Sequence, residues 1–250
     1  MTNRSVRLAL VATLLIAGSV TALAQRGGYR PAPSYAGNVP YDGRFVFVRM
    51  SYPWGGRQGP AWAHDYPQGE YNLLRIMNSI TNIPLHLESS SIMTYSDPEI
   101  FKNPVIYQCE PGYWQMPDDE VKALRAYLLK GGFLILDDFP DWAWATVDLQ
   151  LSRVFPDLHW VDLTPKHPIF HSFFEIENFD IIPQYYMKGR PVFRGLFEGN
   201  SDQKRMYVMA NYNTDISEYW EHSAEGFKPV ADNNKAFELG INEFVYGITH

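Results

Sequence analysis

Residues 118–139 read DDEVKALRAYLLKGGFLILDDF, and this stretch decides the fold. Its first half is a helix with both ends marked. Pro117 stands at the first turn, Asp118, Asp119 and Glu120 face the positive end of the helix dipole, and Lys130 with Gly131 and Gly132 closes it. Its second half, Phe133 to Leu136, is apolar without alternation, the pattern of a strand covered on both faces in a parallel sheet.

Working outward, the same alternation recurs. Val105 to Cys109 is a short apolar run between Pro104 and Pro111 and predicts a core strand. Arg44 to Met50 (RFVFVRM) predicts a first strand, followed by a long Trp/Gly/Pro-rich loop. Leu73, Ile76, Met77 and Ile80 have the i, i+3, i+4, i+7 spacing of one buried helical stripe, with Pro84 just past its end. Leu85 to Met93 predicts a weak second strand. Beyond the central stretch, Val147, Leu151, Val154 and Phe155 mark a helix that stops at Pro156. Strands are expected at 191–197 and 206–211, then a helix carrying Phe237, Ile241, Phe244, Val245 and Ile248. Strand–helix alternation implies an α/β domain with a mostly parallel sheet and helices on both faces. Ligands of such sheets bind outside the carboxyl ends of the strands.

Residues 1–24 have the parts of a secretory signal peptide. Arg4 and Arg7 precede the uncharged run LALVATLLIAGSV, and Ala22-Leu23-Ala24 offers small residues for cleavage before Gln25. The run is shorter than the ~20 residues of a spanning helix. A periplasmic or secreted location follows as an expectation. Residues 25–42, rich in Gly, Pro, Ser and Tyr, read as a flexible linker, and 43–250 as a single domain. Loss of Arg4 and Arg7 takes the formal charge of −7 to −9. An acidic chain without a basic stripe argues against nucleic acid and against anionic membrane surfaces as partners. One cysteine, Cys109, excludes an intramolecular disulfide, so stability must come from the core.

Four polar clusters fall where strands end. His64 and Asp65 precede the first core helix, where Asp65 is read either as a helix cap or, with His64, as a ligand-binding pair beside Trp54 and Trp62. Cys109 reads as a buried hydrophobe, whereas Glu110 points at the strand-end crevice. Asp137 and Asp138 are adjacent on a strand and face opposite sides, so one serves a ligand or metal while the other caps the segment that follows. His167 and His171 are four apart, but Pro168 opposes a regular helix through them and no HExxH pattern accompanies them. His167 bonded to backbone in a turn is the favoured reading, and no metal or cofactor is expected. There is no GxGxxG, Walker A loop, GxSxG elbow or CxxC pair.

The segments HDYP, DPEIFKNPVIYQCEPG, DDEVKALRAYLLKGGFLILDD, HPIFHSFF and LGINEFVYGIT together resemble domain-of-unknown-function family 4159 over residues 44–250. More remotely the chain is similar to class I glutamine-amidotransferase-like and trehalose-utilisation-protein-like domains. That resemblance implies a flavodoxin-like three-layer sandwich. It also implies that the turn which carries the amidotransferase cysteine reads Asp137-Asp138-Phe139 here, without a nucleophile. The expected function is a non-catalytic binding domain of the bacterial cell envelope, with carbohydrate or an envelope protein as partner. Trp54, Trp62, Tyr113, Trp114, Trp142 and Trp144 are the rings available for stacking on a sugar. The alternative is a carboxylate-based hydrolase acting on an envelope glycan or small metabolite. The candidate binding residues are His64, Asp65, Glu110, Asp137, Asp138, His167 and His171.

The signal reading predicts that the exported chain starts at Gln25. Intact-mass or N-terminal analysis of periplasmic material checks this, and Ala24→Tyr should accumulate the unprocessed precursor.

Overall fold

A computed structural model describes residues 37–53, 55–56, 59–183, 188–226 and 228–250. Residues 1–24, which the sequence reading takes as a signal peptide, most of the stretch 25–42 and Trp54 lie outside the described residues. Along the chain run β1 (Val48–Met50), a small hairpin of β2 (Gly55–Gly56) and β3 (Gly59–Pro60), α1 (Gln68–Ile80), β4 (Ser91–Met93) and β5 (Val105–Cys109). Then come α2 (Asp118–Leu129), β6 (Phe133–Phe139), α3 (Trp144–Val154), β7 (Trp160–Asp162) and β8 (Val192–Phe197). β9 (Met206–Tyr212), α4 (Ser217–Glu221) and α5 (Val230–Thr249) complete the domain.

Seven strands form one sheet in the order β4-β1-β5-β6-β9-β8-β7. The first five are mutually parallel, while β8 runs against β9 and β7 against β8. Side chains alternate between the two faces. Phe47, Tyr107, Cys109, Phe133 and Ile135 pack toward α1, α4 and α5. Val48, Met50, Ile106, Leu134 and Leu136 pack toward α2 and α3. The domain is an α/β three-layer sandwich of flavodoxin-like type, as the central helix–strand stretch predicts.

Three local readings change. In α1 the buried face is Glu70, Leu73, Leu74 and Met77, whereas Ile76 and Ile80 are exposed. The helix is turned toward Glu70 because that carboxylate pairs with Arg49 inside the core, 2.5 Å from its Nε. β6 runs on to Phe139, so Asp137 and Asp138 lie within the strand, and its register on β9 shifts between Leu136 and Phe139. β7 and α4 are too short to show a period in sequence. The described residues of the expected linker lie against the β4 edge: the Val39 amide donates to Ser91 Oγ, and Asn38 Oδ1 accepts from the Ile92 amide.

The chain leaves β1 for β4 on one side and returns to β5 on the other. The carboxyl ends of β1 and β5 therefore flank a topological switch point, where such sheets leave a crevice. On the same side of the sheet, α4 and α5 meet closely through Gly240, where an added Cβ would stand 2.2 Å from Trp220 Cζ2. Trp220 is buried and its indole N–H donates to the Ala236 carbonyl, so it cannot yield freely. Gly240→Ala, which normally favours a helix, should here cost about 1–3 kcal/mol by overpacking. Chemical denaturation checks it; an equal or raised stability would show that Trp220 has room to move.

Candidate functional site

The loop after β1 carries His64 and Asp65 back over the strand ends. Arg49 holds it there: the guanidinium is buried and its Nη1 donates to the carbonyls of Trp62 (3.0 Å) and His64 (2.8 Å). Glu110 follows β5, Asp138 lies near the end of β6, and Ser217 opens α4 beyond β9. Residues from four successive parallel strands thus converge on one point.

His64 Nδ1 lies 3.1 Å from Asp138 Oδ2, 3.5 Å from Glu110 Oε1 and 3.8 Å from Asp65 Oδ1. Cys109 Sγ lies 3.5 Å from Asp138 Oδ2 and 4.0 Å from Asp65 Oδ2. Ser217 Oγ donates to Asp65 Oδ2 at 2.6 Å. Asp65 caps no helix; its carboxylate is committed to the crevice, and α1 begins without a side-chain cap.

Three acids here hold left-handed backbone: Asp65 at φ 62°, Glu110 at φ 46° and Asp138 at φ 56°. Non-glycine residues enter that region at a cost of about 1–2 kcal/mol each and cluster at functional sites. At Asp138 the consequence is direct. The left-handed backbone breaks the strand's alternation and sends its carboxylate to His64 and Cys109. Asp137 keeps the strand geometry and is wholly buried, accepting from Tyr107 OH (3.0 Å), Asn211 Nδ2 (3.2 Å) and the Ser217 amide (3.1 Å). The two adjacent acids therefore divide as expected between crevice and scaffold, although Asp137 anchors the start of α4 and not the segment after β6.

Sequence reasoning missed the surrounding polar shell. Asn211 also bonds Glu243 (3.3 Å), and Asp215 accepts from the Glu218 amide (3.0 Å). Glu221, whose proton is held up to about 7 chiefly by burial and then by the charge of Asp65, stands beside the loop. Only Arg49 in an apolar strand and Glu243 on the apolar face of the last helix were visible anomalies; Asn211, Asp215 and Ser217 carry no spacing signal.

Burial and mutual repulsion set the electrostatics. His64 is raised to about 10, first by its hydrogen bond to Asp138, against desolvation, and further by the charges of Asp65, Asp138 and Glu110. Glu110 is raised to about 7 by burial and then by Asp138, offset in part by His64. Asp137 is raised to about 7 by burial and by Asp138, its three donors opposing. Burial, then Asp138 and Asp65, push the Cys109 thiol well up, so the sulfur is no free thiolate nucleophile.

A cavity of about 190 Å³ opens outside this cluster, lined among others by Glu110, Tyr113, Asp138, Pro140 and Trp142. Tyr113 and Trp142 are exposed and meet edge to face at 5.4 Å. Trp62 and Trp114 are core residues, and Trp144 packs on Trp160, Tyr212 and Arg194. His167 and His171 do not join the site. His167 packs on Phe197 and Tyr246 at the amino ends of the central strands, and its Nδ1 accepts from the Ile169 amide, the turn role expected of it. It lines a larger, open cavity of about 620 Å³ with Lys166, Arg205 and His250. His171 is bound to Glu175 and the Pro165 carbonyl.

Fold and site together define a flavodoxin-like α/β domain with an acid-rich crevice at its strand ends. The chain belongs to the family described as Domain of unknown function (DUF4159), which it matches over residues 44–248. No curated protein matches it.

The charge arrangement predicts a stability that falls with pH. His64, raised above its unfolded value of 6.5, contributes stability present below about 6.5 and lost as pH rises through about 10. Glu110 and Asp137 hold their protons more tightly when folded, so between their unfolded values and about 7 the native state binds more protons and rising pH again costs stability. Asp138→Asn removes the main partner of His64 and a shared source of repulsion. Thermal melts from about pH 5 to about pH 9 should show a steep decline for the wild type and a shallower one for the variant; parallel profiles would contradict this assignment.

Proposed function

We propose that this protein is an exported, periplasmic or secreted binding domain of the cell envelope, and that its strand-end crevice takes a small hydroxyl-rich ligand of the carbohydrate class. The observation that carries the reading is the convergence of His64, Asp65, Glu110 and Asp138 beside an opening edged by two exposed rings, Tyr113 and Trp142. Carboxylates accept hydrogen bonds from hydroxyls, and an aromatic face or edge packs on the apolar side of a sugar ring. The cavity is of single-ring size. The signal-like residues 1–24 support export, and no helix among the described residues is long and apolar enough to cross a membrane.

Amidotransferase chemistry has no support in the residues. The last residues of β6, where the amidotransferase resemblance would put a nucleophile, are Asp137, Asp138 and Phe139, and the Cys109 thiol is buried and kept protonated. A second reading, hydrolysis by carboxylates, is favoured by one observation: Glu110 borders the cavity with its proton held up to about 7, suited to a general acid at neutral pH.

Melting shifts with fragments of peptidoglycan and envelope polysaccharide test the proposal. A ligand at about 100 times its Kd should stabilise the chain by about 2.7 kcal/mol. Trp142→Ala, at an exposed position, should abolish the shift while leaving the free protein's melt nearly unchanged. Absence of any shift across the panel overturns the binding reading. Release of product that disappears in Glu110→Gln, with binding retained, would replace it with the hydrolase.

A further inference from the structure

The inner half of the crevice has a chemistry that a sugar does not explain. His64 Nδ1, Cys109 Sγ and carboxylate oxygens of Asp65 and Asp138 all lie within 4.8 Å of one another. The separations run from 3.1 Å for His64–Asp138, through 3.5 Å for Cys109–Asp138 and 3.8 Å for His64–Asp65, to 4.0 Å for Cys109–Asp65. A tetrahedral ion with bonds of about 2.0–2.3 Å places its ligand atoms roughly 3.3–3.8 Å apart. Those separations, the two to Asp65 taken to Oδ1 from His64 and to Oδ2 from Cys109, are of the size such an ion requires.

Asp65 supplies a second, independent sign. Its side chain is fully buried, one oxygen accepts from Ser217, and the other, Oδ1, has no fixed donor: His64 Nδ1 faces it at 3.8 Å, and the neighbouring Glu221 carboxyl can bond Asp65 only while it keeps its proton. A buried carboxylate oxygen without a donor is costly unless a cation meets it. The permanent cations Arg49 and Lys228 are committed to Glu70 and Glu218, which leaves His64, itself a member of the cluster, as the charge facing Asp65. Asp137 and Asp215 add further acid behind the cluster, both wholly buried.

From this geometry we infer a binding site for one divalent transition ion of the zinc class, held by His64, Asp65, Cys109 and Asp138. A thiolate with an imidazole selects a borderline ion over magnesium or calcium, which take oxygen donors and more of them. Binding displaces the proton of the Cys109 thiol and the one on His64 Nδ1, because both atoms must present a lone pair to the ion. The ion then joins the loop after β1 to the ends of β5 and β6, with Asp138 as the ligand that also lines the outer cavity and His64 as the half-exposed one. Glu110, 3.5 Å from His64 Nδ1, stays outside the set as its outer-shell neighbour. The ion engages three of the side chains named for the saccharide and leaves Glu110, Tyr113 and Trp142 to a ligand of the outer cavity.

Cobalt(II) titrated into chelator-treated, tag-free protein tests the inference. The wild type should bind one equivalent with the strong visible bands of a tetrahedral ion and a thiolate charge-transfer band in the near ultraviolet. Cys109→Ser should lose the charge-transfer band. His64→Ala, which removes a half-exposed side chain and leaves the core intact, should weaken binding by about tenfold or more. Weak octahedral spectra, or wild-type affinity in His64→Ala, overturns the site. The saccharide melts decide the outer pocket separately, since metal binding without a saccharide shift would leave this inference intact and remove the other.

Discussion

A single buried guanidinium underlies the site. Arg49 sits in an otherwise apolar strand, wholly enclosed, and spends its donors on Glu70 of α1 and on the carbonyls of Trp62 and His64. It also lies over the ring of Tyr107 at 5.2 Å. The first helix, the loop that follows β1 and the central strand β5 are thereby tied to one charge. Removing either member of a buried pair leaves an uncompensated charge and typically costs about 3–5 kcal/mol. The pair's value is therefore one of position: it fixes where His64 and Asp65 come to rest, over the strand ends.

What it positions is unfavourable by itself. Asp65, Asp137, Asp138 and Asp215 are all buried within one connected region, and Glu243 reaches the same network through Asn211. Three residues there also hold left-handed backbone. A core built for stability alone would place apolar side chains at these positions. The apolar layers on either face of the sheet are extensive enough to carry such a cost, and they constrain the strand ends too tightly for the acids to move apart.

Much of the scaffold was legible because its signals are local. The helix–strand pair at 118–139 shows dipole-matched acids, a glycine stop and an unbroken apolar run, each readable within a turn or two of chain. The errors share a cause. Ile76 and Ile80 fit a helical stripe, yet α1 is rotated to bury Glu70, because its partner lies on a strand some twenty residues earlier. Asp65 has the sequence position of a cap, and its carboxylate is taken by Ser217, 152 residues away. His167 and His171 count as candidate binding residues by their place in the sequence, and packing sets His167 against Phe197 and Tyr246 and ties His171 to Glu175, outside the crevice.

The sequence by itself determined the central strands and helices in their order, the mostly parallel sheet they build, and the family to which the chain belongs. These follow from period, end signals and motif order, which act over short separations. Only the tertiary structure decided that the acids of three separate segments share one crevice, that Asp138 turns away from its strand, and that Cys109 faces carboxylates. Those outcomes depend on the register of strands far apart in the chain, on a buried ion pair and on three left-handed residues, and no local pattern encodes them.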